Sequence, residues 1–464
     1  MTVEAEAGQS KAAQAIKSRD GFTSALGVLA ATLGSAVGLG NIWKFPSITG
    51  QNGGAAFVII YLLSTLLVGL PVMISEQMLG RKARKDAITT LRDLAPKKQP
   101  WWLVGAAGVL AAFLIMAFYT EVAGWVFAYI YKSALGGLLS TDPAVTSQAF
   151  IELVSNPMQS ILWQWVVLFV IGAILMLGVS KGIENTTKRL MPILFVLLVA
   201  ICVRSLTLEG AGEGLRFLLQ PDFAKVTWTT VLVAIGLAFF KLSTGMGTMI
   251  TYGSYFRDDQ DIPATATKVM LADLLVSMLA GIAIFPAVFA FGFEPDAGPS
   301  LLFITIPAVF AAMPFGNVFM VLFFVLAGIA ATGAMLSLLE VPVAFINEKL
   351  GVSRPLATVI TVVLLALIGS TAALSNSTLA EVKLFGLTFF DLYDFATSNI
   401  LLPFGGLFIA IFAGWVWGKE KIMDALTNAG VLKNEWVVKG FYVIVKFVTP
   451  VLLLLVLLRG LEIL

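Results

Sequence analysis

Residues 34–41 read GSAVGLGN and residues 243–248 read STGMGT. Each lies in the middle of an apolar stretch long enough to cross a bilayer. Small residues and paired glycines weaken a helix, so both stretches predict a membrane span broken near its centre. Close helix packing through small residues would account for either one alone. Two breaks, each opening a group of five spans, instead predict a carrier made of two inverted five-helix repeats with its site at the unwound midplane.

The rest of the chain agrees. Of 464 residues, 58% are hydrophobic and 12% charged, against about 25% charged in an ordinary soluble domain. That composition excludes a soluble enzyme, a disordered chain and a nucleic-acid binder. The 30 Lys and Arg nearly balance the 28 Asp and Glu, so no polyanionic partner is implied. There is no histidine, which removes imidazole metal sites and Ser-His-Asp chemistry, and Cys202 is the single cysteine. No Walker loop, nucleophile elbow or metal-ligand cluster is present, so no enzyme is expected.

The fold class read from this pattern is an all-α polytopic membrane protein. Eleven spans are expected at residues 22–48, 54–79, 101–135, 160–179, 187–207, 227–256, 263–293, 311–345, 355–374, 385–417 and 436–461. They form a single transporter domain over 1–464: a polar tail at 1–20, a first repeat at 22–207, a second at 227–417 and an eleventh helix at 436–461. The loop after span 2, RKARKDAITTLRDLAPKKQP (81–100), holds seven Lys and Arg, and the loops after spans 4, 6, 8 and 10 are basic or mixed. Alternate loops are poor in both, so the N-terminus is expected in the cytoplasm and the C-terminus outside, with the lipid bilayer as the protein's surroundings.

Seven ordered motifs sharpen this reading: SAVGLGNIWKFP (35–46) with NGGAAF (52–57), PVMISEQMLGR (71–81), FYTEVAGW (118–125), GIENTTKRLMP (182–192), FFKLSTGMGTMITYGSY (239–255), SLLEVPVAF (337–345) and LYDFATSNILLPFGG (392–406). Together they resemble the neurotransmitter:sodium symporter family over nearly the whole chain. The resemblance implies alternating access around one small substrate held between spans 1, 3, 6 and 8.

It also implies a site. The N–H groups of Leu39 and Gly40 open the second half of span 1, a positive helix end suited to a carboxylate. Tyr119 matches the family tyrosine that holds that carboxylate. The carbonyls of Ala36, Phe240 and Thr244, with the Ser243 hydroxyl, match the groups that hold an amine. Val37, Ile115, Phe240, Met246, Ala334 and Leu338 form an apolar side-chain pocket, with Ala334 in place of a small hydroxyl residue. The expected substrate is therefore a small molecule with a carboxylate and a large apolar or aromatic side chain: an amino acid, or a related acid lacking the amine. Phe240 and Tyr119 match the lid, Lys44 and Asp394 the outer charged gate, and Arg19 and Glu348 the inner one. Glu76 matches a glutamate supporting the unwound part of span 1, and Glu121 is a further intramembrane acid.

The sequence departs from the family at the ion sites. At the second sodium position, Gly333 and Ala334 carry no side-chain oxygen, leaving the backbone of Gly34, Val37 and Ala330. At the first, the residues are Asn41, Lys241 and Asp273. A lysine in mid-span costs at least ~2.5 kcal/mol even on the lenient insertion scale, and Asp273 would face it. The expectation is that the Lys241 ammonium stands where sodium normally sits, held by Asp273, Asn41 and a carbonyl, and touching the substrate carboxylate. On this reading no sodium and no other cofactor is required, and protons or the substrate gradient drive transport. The alternatives are a conventional sodium-coupled symporter and a transporter-like sensor that does not cycle.

Overall fold

The computed structural model describes residues 20–138, 140–292 and 301–463; most of the expected N-terminal tail, and Arg19 with it, lies outside them. Helix α1 crosses as two halves, Ala25–Ala36 and Gly40–Gln51, bent by 51°. Continuous spans follow at α2 (Ala55–Ala83), α3 (Trp102–Ala134), α4 (Pro157–Met176) and α5 (Val179–Leu206). Helix α6 is again two pieces, Trp228–Lys241 and Thr248–Gly253. Then come α7 (Ile262–Ala290), α8 (Gly316–Leu350), α9 (Arg354–Asn376), α10 (Phe389–Trp417) and α11 (Glu435–Gly460). Among the described residues nine helices are long and apolar enough to span alone and the bent α1 makes a tenth, with α6 in two shorter pieces; the fold is that of two inverted repeats of five helices with α11 appended and the first helix of each repeat interrupted.

Local chemistry sets the breaks. Ser24 caps α1 by accepting from the Gly27 N–H at 3.0 Å. The first half of α1 ends where Val37 turns to extended backbone (φ −83°, ψ 100°). Between the halves of α6, Ser243, Gly245 and Gly247 all have left-handed φ of 54°, 79° and 72°, which no α-helix accommodates. At Gly245 a Cβ would stand 2.4 Å from the Phe239 ring and 2.7 Å from the Leu402 carbonyl oxygen, so only glycine fits that turn.

Helices α3 and α8 are the longest spans and pack along each other, with α1 lodged against α5, α7 and α8. The core they share is apolar, while residues such as Phe169, Leu177 and Leu367 stand exposed on the outer face, as a lipid-facing surface requires. Five shorter helices stand where the sequence reading had only connections or the entry to a span: Ala87–Leu94, Pro143–Ser155, Ala211–Leu219, Ile306–Ala311 and Lys419–Leu426. They are too short to span a bilayer, so a search for long apolar runs passes over them.

Candidate functional site

The two broken helices meet, and the gap between their halves opens a cavity against α3 and α8. Ser35, Ala36, Gly38, Gly40, Asn41, Ile115, Tyr119, Phe240, Lys241, Ser243, Met246, Ala334 and Leu338 line it. Ten of the thirteen substrate residues expected from the sequence are in this wall. Val37, Leu39 and Thr244 are wholly buried and do not line the cavity. Ser35 and Gly38 are additions. Gly38 brings the backbone in close, since a Cβ there would sit 3.0 Å from the Ala334 Cβ and 3.1 Å from the Tyr119 hydroxyl.

The polar groups have defined orientations. The Leu39 N–H donates to the Tyr119 hydroxyl oxygen at 2.9 Å. That oxygen is thereby used as an acceptor, and its own proton remains to be donated. The Gly40 backbone beside it lines the cavity. Ser243 donates to the Ser35 carbonyl at 2.8 Å, so its oxygen remains able to accept. Ser35 in turn donates to Ser337 at 2.8 Å, tying α1 to α8 at the cavity wall.

The lysine is paired as expected but not oriented as expected. Lys241 Nζ lies 3.1 Å from Asp273 Oδ2 and 3.1 Å from the Tyr61 hydroxyl, and it also donates to the Ser277 hydroxyl. An ammonium has three N–H donors, and these three acceptors use them all. The charge therefore points into the core, and the aliphatic stem faces the cavity, its Cγ near Gly40. Asn41 does not hold the ammonium. Its amide bonds Asp273 Oδ1 at 2.7 Å and Ser277 at 3.1 Å, because its own oxygen is taken by the Gly38 N–H at 3.2 Å. The pair is completely buried and fully hydrogen-bonded, the condition under which a buried ion pair is tolerated.

At the second ion position, helix α8 closes on α1. A Cβ on Gly333 would stand 2.5 Å from the Gly34 carbonyl oxygen, and the neighbouring Thr332 hydroxyl donates within its own helix to Gly328 at 2.8 Å. Glu76 supports the break of α6, not that of α1: its Oε1 accepts from the Gly245 N–H at 2.7 Å. The left-handed turn at Ser243 and Gly245 strips that N–H of an intrahelical partner, which explains the change of target. Glu121 is buried on α3 and accepts from the Trp125 indole at 2.6 Å.

The gates differ from the expectation. Lys44 rests over the Phe240 ring, 4.2 Å from its centroid, while Asp394 accepts from Ser398 at 2.8 Å. Among the described residues no ion pair joins Lys44 to Asp394. Lysine lacks the bidentate fork that would lock onto a carboxylate, and the ring competes for it. Phe240 separates the cavity from a wider outer cleft bordered by Lys44, Ile48, Phe395 and Leu402. On the inner side, Glu348 accepts from the Asp86 N–H at 2.8 Å.

The described inner closure is a network the sequence reading did not single out. Phe22 donates its N–H to the Tyr255 carbonyl at 3.2 Å and packs on the rings of Tyr252, Tyr255 and Phe256. Tyr255 donates to Glu340 at 2.6 Å, and Arg354 clamps both oxygens of Glu340 at 2.9 and 2.5 Å. The available signal was Glu340 within SLLEVP, an acid inside a span that requires a cation, with Arg354 waiting at the start of the next helix.

The chain was compared with known proteins. The family model described as "Sodium:neurotransmitter symporter family" matches residues 19–143 and 151–463. An uncharacterized sodium-dependent transporter of Bacillus subtilis, YhdH, is 40% identical, covering 94% of this chain and 97% of the relative. One from Haemophilus influenzae is 34% identical, over 96% and 99%. The crystal structure of MhsT in complex with L-phenylalanine superposes with a TM-score of 0.87 at 41% identity, covering 95% of this chain and all of the other. These names overturn the expectation that no sodium is involved: the family and both bacterial relatives are described as sodium-dependent. Carbonyls freed by a broken helix coordinate ions as well, so missing side-chain oxygens do not exclude sodium.

Proposed function

The chain belongs to the sodium:neurotransmitter symporter family, and from that membership and the central cavity we propose that it is a sodium-coupled carrier of large apolar amino acids. The N-terminus faces the cytoplasm on this reading, and the two repeats move against each other around a substrate held at mid-membrane.

The observation that carries the reading is the Tyr119 hydroxyl, fixed as an acceptor by Leu39 at 2.9 Å. Its free proton is donated to a substrate carboxylate, which the Gly40 N–H at the start of the second half of α1 also attracts. The substrate ammonium bonds the Ala36 carbonyl and the Ser243 oxygen, groups the helix breaks leave available. The side chain lies against Ile115, Met246, Ala334 and Leu338, an apolar wall with an adaptable methionine. MhsT, a structure with L-phenylalanine bound, is similar to this chain throughout.

Lys241 is a permanent cation in the first ion position, its charge spent on Asp273, Tyr61 and Ser277 rather than on substrate. The sodium that couples transport then binds at the second position, to the carbonyls of Gly34, Val37 and Ala330. A binding panel of glycine, alanine, leucine, phenylalanine, tryptophan and phenylpyruvate, run on the purified protein and on Ala334→Phe, tests the substrate assignment. Phenylalanine or tryptophan should bind best and lose most in the variant. Preference for glycine or alanine in the unmodified protein contradicts the reading.

A further inference from the structure

Serine and threonine hydroxyls inside a helix ordinarily donate to a carbonyl of their own chain one turn back. Thr32 on α1 does so, to Val28 at 2.7 Å, and Thr332 on α8 does so, to Gly328 at 2.8 Å. Ser35 does not. Its hydroxyl leaves α1 and reaches the Ser337 hydroxyl of α8 at 2.8 Å, and both residues are buried. The direction of that bond is fixed. The one proton of Ser337 is donated to the Ala334 carbonyl at 2.8 Å, so its oxygen accepts and Ser35 is the donor. The Ser35 carbonyl is held as well, by the Ser243 hydroxyl at 2.8 Å. One residue at the end of the first half of α1 is thus tied to α8 through its side chain and to the break of α6 through its backbone.

These ties adjoin the second ion position. Gly34 precedes Ser35, and its carbonyl oxygen lies 2.5 Å from the place a Cβ on Gly333 would take, so α1 and α8 touch there backbone to backbone. Ser337 follows Gly333 by about one helical turn of α8. Of the three carbonyls assigned to sodium, those of Gly34 and Val37 belong to α1 and that of Ala330 to α8. A cation held by oxygens of two elements loses ligands when the elements part. Gly333 and Ala334 add no side-chain oxygen, so the affinity of this site depends on how firmly α1 is kept against α8. Ser337 does not line the substrate cavity, which separates its effect from direct contact with the substrate.

We propose that Ser337 is a positioning residue for the coupling ion: through Ser35 it keeps the Gly34 and Val37 carbonyls of α1 against Ala330 of α8. The proposal rests on the sodium assignment made under the proposed function. Phenylalanine binding to the full-length protein, titrated with sodium in sodium–choline mixtures of constant ionic strength, tests it. Ser337→Ala should raise the sodium midpoint about fivefold, the worth of one neutral hydrogen bond, and leave phenylalanine affinity at saturating sodium unchanged. Ser35 can then donate to the Ala31 carbonyl one turn back, so no buried donor is stranded. Ser337→Thr keeps the hydroxyl and should keep the parental midpoint. Ser35→Ala and the double variant Ser35→Ala with Ser337→Ala should each show the same midpoint as Ser337→Ala, as partners in one bond do. If Ser337→Ala does not fold, Ser35→Ala carries the test with the same expected shift. A parental sodium midpoint in Ser337→Ala overturns the proposal alone, and so do shifts that add in the double variant. Phenylalanine binding that ignores sodium in the parent overturns the functional reading, and the proposal with it.

Discussion

In the proposed function one hydroxyl group, that of Tyr119, links the broken helix to the substrate. It accepts from Leu39 at 2.9 Å, which leaves its own proton to be donated. Tyr119→Phe removes a hydrogen bond to a charged group, worth about 1.5–3 kcal/mol. Phenylalanine affinity should fall by roughly 10- to 150-fold in calorimetric titration, and unchanged affinity in a folded variant would move the carboxylate elsewhere. This tyrosine and nine other cavity-lining positions were legible in the sequence, the breaks through their small residues and glycines, and Tyr119 with the α3 and α8 positions through the family resemblance of the motifs. The direction of Lys241 was not. A lysine and an aspartate opposed in mid-membrane predict a pair, but Tyr61 and Ser277 complete the ammonium's acceptors from positions no pairing rule selects. With its donors saturated, the Lys241 ammonium has no N–H left to offer a substrate carboxylate.

At the scale of the element, the interruptions of α1 and α6 do the work, and each is enforced differently. In α1 the helix ends at an extended Val37. In α6 three left-handed residues within five positions enforce the turn, and Glu76 caps the exposed Gly245 N–H. Gly245→Ala therefore adds backbone strain of about 1–3 kcal/mol and drives a Cβ into the Phe239 ring. A lower melting temperature with loss of substrate binding is expected, and a variant with parental stability would show that the turn is not locked. The spans themselves were legible because lipid demands long apolar runs and closed backbone hydrogen bonding. The five short helices were not, since their length falls below that signal. The partner of Lys44 differs from the expected Asp394 for another reason. A lysine opposite an acid suggests an ion pair, yet the Phe240 ring at 4.2 Å takes the cation instead.

For the whole molecule, Phe22, Tyr255, Glu340 and Arg354 close the end that the proposed orientation makes the inner side, and Phe240 borders both the cavity and the wider cleft opposite. Opening inward must break the Arg354–Glu340 clamp, because it joins α8 and α9 to the inner half of α6 through Tyr255. Arg354→Gln should thus speed amide hydrogen exchange across residues 22–36 and leave the outer ends of α3 and α10 unchanged. Uniform exchange across the protein would place the inner seal elsewhere. Coupling unites the three scales, since the proposed function places an ammonium at one ion position and backbone oxygens at the other. The most direct measurement is a sodium titration of phenylalanine binding, for the parent protein and for Lys241→Thr combined with Asp273→Asn, which restores neutral oxygen ligands around Asn41. The account predicts a one-site sodium curve for the parent and a cooperative two-site curve for the folded double variant. A two-site curve in the parent, or identical curves for both proteins, would contradict the claim that Lys241 occupies the place of an ion.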